Sequence, residues 1–261
     1  MPPRNSSAMT ESDRDIYGMW QRSPNYSRVQ NLGIRVVDMP AFNSFFAYYL
    51  PASFERQSVK RAIVAVHGTG GTAYAEIQDE SAMAQKLGYA VIAIQMRLPK
   101  DEKRNLPPRE MYGLIDQAIR FLKRERKLDI SRLAYVGFSV GGAKSFQIAY
   151  QDSQSPRPLF SLIVNHSGLS KAETAFLSDI EAGRGPAQPF KGLPFALYCG
   201  LRDESWKSQQ CDDMARWEQL LVRLGANPIR AIRDEAGGHM GYRKNPDHHE
   251  AVMRWFYELT P

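Results

Sequence analysis

The sequence predicts an α/β fold: one mostly parallel central sheet covered by helices on both faces, spanning residues 45–261. Three observations support this. From residue 61 onward, apolar runs of strand length alternate with segments of helical period, the pattern of strands joined by crossover helices. Most of those runs are continuously apolar, as required of strands buried on both faces. The chain has 261 residues with 43% hydrophobic side chains, enough for one sizeable core without division.

Taken in order, residues 1–44 mix Pro, Ser and charge without sustained period, and read as an irregular arm leading into the first antiparallel strands. The strand candidates are Phe45 to Leu50, Ala62 to Val66, Tyr89 to Gln95, Leu133 to Phe138, Leu159 to Asn165, Phe195 to Gly200 and Ile229 to Arg233. Met111, Leu114, Ile115, Ala118 and Leu122 recur at helical spacing, as do Met214, Trp217, Leu220, Leu221 and Leu224 before Gly225, a C′ cap. These stripes are sheet-covering helices with no cofactor role. The long connection 169–194, interrupted by Gly-Arg-Gly-Pro, is the candidate cap or lid.

Composition excludes several classes. The net charge of +6 is dispersed, and its densest cluster, Lys123 to Lys127, ends a predicted helix where cations complement the dipole. No nucleic-acid-binding motif accompanies it. No run approaches the roughly 18 apolar residues of a membrane helix, and the first fifteen residues lack the apolar core of a secretory signal. The expected setting is therefore cytoplasmic, with Cys199 and Cys211 as two free thiols. No metal is expected, since no His and carboxylate spacing suggests a ligand set.

The chemistry centres on Gly137-Phe138-Ser139-Val140-Gly141-Gly142, a strand running straight into G-x-S-x-G and then into a helical segment. The bare pattern arises by chance in roughly one chain in ten of this length, so its position carries the weight. A sharp strand-to-helix turn lifts a serine oxygen above the sheet, and Gly137 and Gly141 keep Cβ atoms out of its close contacts.

A serine hydroxyl is a weak nucleophile at neutral pH and needs a base, which in turn needs an orienting acid. Of five histidines, His239 follows the last strand in Gly237-Gly238-His239, on a loop able to swing over the sheet. His248 and His249 fall in the final helix as surface or core residues, while His67 and His166 end earlier strands and line the site or pack beneath it. Asp203, just beyond the strand ending at Gly200, is the acid, with Glu204 as runner-up.

The loop His67-Gly68-Thr69-Gly70-Gly71 follows an apolar strand, where backbone donors for an oxyanion belong. The N–H of Thr69, or alternatively of Gly70, would face that of Val140. The loop lacks the G-K-[ST] of a P-loop and the G-x-G-x-x-G of a dinucleotide site, so no nucleotide cofactor is expected.

In the order HG-x-GG, GFSVGG, Asp203 and GGH, the chain resembles the α/β-hydrolase superfamily over residues 45–259, and within it the compact bacterial serine esterases of the carboxylesterase and feruloyl-esterase or depolymerase-like branches. Thr69 replaces the second glycine of the HGGG loop of one branch, and a serine stands where dienelactone hydrolases carry cysteine. The resemblance implies one leading antiparallel strand and a serine hydrolase that cleaves a carboxylic ester of a small molecule, with Ser139, His239 and Asp203 as triad. Rival readings are an acyltransferase or small peptidase with the same triad, and a non-catalytic binding protein that keeps the fold. Tyr74, Trp206 and Tyr242 are candidate pocket aromatics, each equally explained by packing.

Overall fold

A computed structural model describes residues 26–96, 105–168, 171–205 and 209–261. The chain divides after Ser131 into two compact units.

Among the described residues, the first unit holds α1 (Tyr26–Asn31), β1 (Arg35–Met39), β2 (Ser44–Tyr49), β3 (Arg61–Val66), α2 (Ala73–Leu87), β4 (Ala90–Ile94) and α3 (Pro108–Arg126). Its strands lie in the order β1-β2-β4-β3. β2 runs against both neighbours and β3 pairs in parallel with β4, so β2 is the leading antiparallel strand. Every residue of β2, β3 and β4 is buried. Side chains alternate between faces of a strand, so both faces are covered. Each buried Val or Ile there contributes about 1.5–3 kcal/mol against chain entropy.

In α2, Thr72 is the N-cap and accepts the Ala75 N–H, while Gly88 closes the helix at φ +88°. In α3 the buried residues are Met111, Leu114, Ile115, Ala118 and Leu122, the stripe read from spacing. Lys123 to Lys127 are exposed at its end, and Lys123 pairs with Asp129 at 2.8 Å.

The second unit comprises β5 (Arg132–Phe138), the single turn α4 (Val140–Ala143), α5 (Ser145–Ser153), β6 (Phe160–His166), α6 (Lys171–Asp179), β7 (Phe195–Gly200), α7 (Gln209–Arg223), β8 (Ile229–Asp234), the turn α8 (Gly241–Lys244) and α9 (Pro246–Leu259). Here β5-β6-β7-β8 are adjacent in sequence order, all parallel. Parallel pairing places the carboxyl ends of these strands, and the loops that leave them, along one edge. The connection 169–194 holds α6 and a distorted turn at Ile180–Arg184 with Gly183 at φ +88°; residues 169 and 170 lie outside the described segments, as do 97–104.

One expectation is corrected. Cys199 and Cys211 are joined in a disulfide with Cα atoms 5.4 Å apart. Cys199 is in β7, and Cys211 lies in the first turn of α7, which returns to pack on that strand. The chain reversal brings together two thiols that the sequence separates by 12 positions.

Candidate active site

The turn after β5 is built for one residue. Ser139 sits at φ 52°, ψ −115°, a conformation that L-residues seldom adopt and that persists only when the surroundings impose it. They do so with backbone hydrogen bonds: Ser139 N–H donates to His166 O at 2.9 Å, and Ala143 N–H donates to Ser139 O at 2.7 Å. The Tyr135 hydroxyl donates to Gly141 O at 2.7 Å. A Cβ on Gly137 would lie 2.4 Å from Gly141 O, so the first glycine of the motif is a steric necessity.

Two supports escaped the sequence reading. Buried Asn165, in β6, donates from Nδ2 to Gly142 O and to Ser145 Oγ, both at 2.9 Å, and accepts the Gly168 N–H at 3.0 Å. Gly168 crosses so close to Gly142 that a Cβ would fall 2.3 Å from its carbonyl carbon. A lone Asn and a lone Gly carry no local signal of such a clamp.

Asp203 and His239 are brought together across 36 residues. His239 Nδ1 lies 2.7 Å from Asp203 Oδ2, and the Asp203 side chain is 2% exposed against 21% for His239. The carboxylate's other oxygen accepts the Ser205 N–H at 2.9 Å. A carboxylate facing Nδ1 selects the tautomer that carries its proton there, leaving Nε2 as the basic nitrogen. Glu204, the runner-up acid, is exposed. The His239 ring packs on Phe138, the residue before Ser139, with centroids 4.9 Å apart. An open hollow of about 410 Å³ beside the ring is lined by Gly237, Gly238, His239, Met240 and Lys244.

The other histidines sort by environment. His166 is fully buried, with its ring against Phe138 at 4.7 Å and Tyr242 at 4.9 Å. Burial first, then the charges of Arg243, His239 and His249, hold its pKa well below the ordinary imidazole value, although the His239 backbone beside it pulls the other way. It is a neutral core group beneath the site. His248 Nε2 faces Asp234 Oδ2 at 3.2 Å. In the first unit, His67 is buried, its Nδ1 is 2.8 Å from Gly68 O, and its Nε2 accepts the Met96 N–H at 3.2 Å. That imidazole braces the glycine loop from below.

In that loop Gly71 N–H donates to Gly68 O, Gly70 has φ +73°, and Thr69 is exposed at the tip. Val140 is the first residue of α4 and half-buried. Tyr74 is fully buried and stacks on Phe45 at 5.4 Å, and Tyr242 is likewise buried; both are packing residues. Trp206 lies outside the described residues. Among the described residues, no group of three or more His, Cys, Asp or Glu is placed to hold a metal ion, and no helix is long and apolar enough to cross a membrane.

An esterase of Pyrococcus furiosus superposes with a TM-score of 0.61 at 13% identity, covering 88% of this chain and 94% of its own. The fold is that of the α/β-hydrolases. Dienelactone hydrolase of Anabaena variabilis matches at TM-score 0.56 and 16% identity, over 83% of this chain and 90% of that one. The acylaminoacyl peptidase of Pyrococcus horikoshii matches 82% of this chain at TM-score 0.54 and 19% identity, and the chain spans only 39% of that enzyme's length. No family model and no curated protein sequence matches the chain. An α/β-hydrolase fold hosts many chemistries, so activity has to be argued from the site.

Proposed function

We propose that this α/β-hydrolase-fold protein is a serine hydrolase that cleaves carboxylic esters of small molecules through an acyl-enzyme. The observation that carries the reading is the 2.7 Å contact between His239 Nδ1 and Asp203 Oδ2; the His239 ring packs on Phe138, the residue before a serine held at positive φ on a strand-to-helix turn. Esterases among the structural neighbours add support at the level of the fold.

In this mechanism Ser139 Oγ attacks the acyl carbon while its proton passes to His239 Nε2. The imidazolium, steadied by Asp203, returns that proton to the leaving alkoxide as the ester C–O bond breaks. Water then attacks the acyl-serine, giving a proton to the same nitrogen, which hands it to Ser139 Oγ as the acyl–oxygen bond breaks and the carboxylic acid leaves. The N–H of Val140, the residue after Ser139, is a proposed oxyanion donor. No cofactor takes part in these steps.

The test is a fluorophosphonate probe, which requires no guess at the substrate, with the adduct located by mass spectrometry. An adduct on Ser139 that is lost in His239→Ala supports the mechanism, and a panel of esters, amides and competing alcohols then separates esterase from peptidase and acyltransferase. Absence of any adduct on folded protein would favour the non-catalytic reading. As to location, the Cys199–Cys211 bond argues for an oxidising compartment over the cytoplasm, where glutathione and thioredoxin keep thiols reduced.

A further inference from the structure

Asp234 ends β8, five positions before His239, and its carboxylate gathers groups from three directions. Its Oδ1 accepts the N–H groups of Ala236 at 3.1 Å and Gly237 at 2.8 Å. Its Oδ2 accepts the Tyr198 hydroxyl from β7 at 2.9 Å and faces His248 Nε2 from α9 at 3.2 Å. This is a second carboxylate–imidazole pair, alongside that of Asp203 and His239.

The same turn holds the acid loop. Leu201 N–H donates to Asp234 O and Arg202 N–H donates to Gly237 O, both at 2.9 Å. The two residues preceding Asp203 are therefore hydrogen-bonded to the segment that leads to His239. The glycines in both loops fit this assembly. A Cβ on Gly237 would lie 2.2 Å from Asp234 Oδ2, one on Gly241 would lie 1.8 Å from the Tyr198 hydroxyl, and one on Gly200 would lie 2.4 Å from Gly237 O.

We propose that Asp234, held by Tyr198 and His248, is a positioning residue that sets the His239 loop and the Asp203 loop in register with each other. This inference rests on the triad proposed above. Burial pushes the Asp234 carboxyl up, but the Tyr198 and backbone hydrogen bonds, with the nearby His248, outweigh it and keep its pKa below the usual value. Asp234 is thus an anion across the working range, and its lone pairs are occupied by donors from the turn, the strand and the helix. A shift of about 1 Å in either loop would lengthen the Asp203–His239 contact, and misplacement on that scale costs on the order of 10²-fold in rate.

The test combines kinetics on p-nitrophenyl acetate with the low-field proton resonance of His239 Nδ1–H, assigned by its loss in His239→Ala. In Asp234→Ala, kcat is expected to fall about 10²-fold with KM changed less than about twofold, and the resonance to shift or broaden. Tyr198→Phe is expected to lose about tenfold. Asp234→Asn retains an oxygen for Ala236 and Gly237 and is expected to recover part of the loss. Circular dichroism and thermal melts establish folding. A folded Asp234→Ala protein with wild-type kcat and an unchanged resonance overturns the proposal. If that variant does not fold, unchanged kcat and resonance in both Tyr198→Phe and Asp234→Asn overturn it equally. The resonance needs no substrate, so a wild-type protein that neither hydrolyses esters nor takes the fluorophosphonate label would sink the proposed function alone.

Discussion

The imidazole of His239 rests on the phenyl ring of Phe138, with centroids 4.9 Å apart and planes inclined at 51°. Phe138 immediately precedes Ser139, so the proposed base takes its position from the strand that carries the proposed nucleophile. The same ring contacts His166 at 4.7 Å, and the Arg243 guanidinium lies 5.0 Å over it. Phe138→Ala retains the Ser139, His239 and Asp203 side chains but removes this prop. Its kcat on an activated ester is expected to fall by about 10-fold to 10²-fold, and a wild-type rate in the folded variant would show that the ring only fills space.

Asp203 and Glu204 are adjacent in sequence, yet only Asp203 reaches His239. Asp203→Asn is expected to lower kcat by about 10⁴, by analogy with the protease triad, because the amide favours the wrong imidazole tautomer. Glu204→Gln is expected to keep wild-type kinetics and stability within about 0.5 kcal/mol. Equal losses in the two variants would contradict this assignment of the acid.

The serine turn tolerates no added methyl at its crossings. Gly137→Ala and Gly168→Ala each drive a Cβ to 2.4 or 2.3 Å from backbone atoms, which cannot move aside as a side chain would. Each is expected to cost roughly 3 kcal/mol or more in denaturant unfolding and to reduce labelling of Ser139. Full labelling with wild-type stability would mean that the turn is looser than described.

The disulfide closes the chain around Asp203. Joining positions 12 apart gives a loop whose closure is worth about 3 kcal/mol on the chain-entropy account. Cys199→Ser with Cys211→Ser, or a mild reductant, is expected to lower the melting temperature by roughly 6–12 °C and to slow ester turnover. An unchanged melt would show that packing of α7 on β7 is sufficient by itself.

His166 predicts a pH dependence. Its pKa in the folded protein lies below that of an unfolded histidine, so in acid the unfolded chain binds the extra proton first and stability rises with pH. The contribution is therefore complete above about pH 6.5 and is lost progressively as pH falls below it. Urea unfolding at pH 7.5 and 5.0 should show lower stability in acid, with a smaller difference in His166→Phe. Identical pH dependence in the two proteins would place the effect elsewhere.

The alternation of apolar runs and helical stripes was sufficient to foresee the seven strands from Phe45 onward and the helices over Met111–Leu122 and Met214–Leu224. These patterns are local, because burial on both faces or on one stripe is written into residues a few positions apart. Ser139, Asp203 and His239 could be proposed for a related reason: each follows a strand, parallel strands end on one edge, and chain order therefore points to proximity; the contact between His239 and Asp203 is seen at 2.7 Å. Three-dimensional contacts settled the rest. The Cys199–Cys211 bond, the Asn165 clamp on Gly142 and Gly168, the contact of Asp203 with His239 and the gathering of Tyr198, Asp234 and His248 all join residues distant in sequence. No periodicity connects such partners. They meet because the packing of helices on strands fixes, to within an ångström or so, where each loop leaves the sheet, and hydrogen bonding at that range depends on the folded backbone rather than on composition.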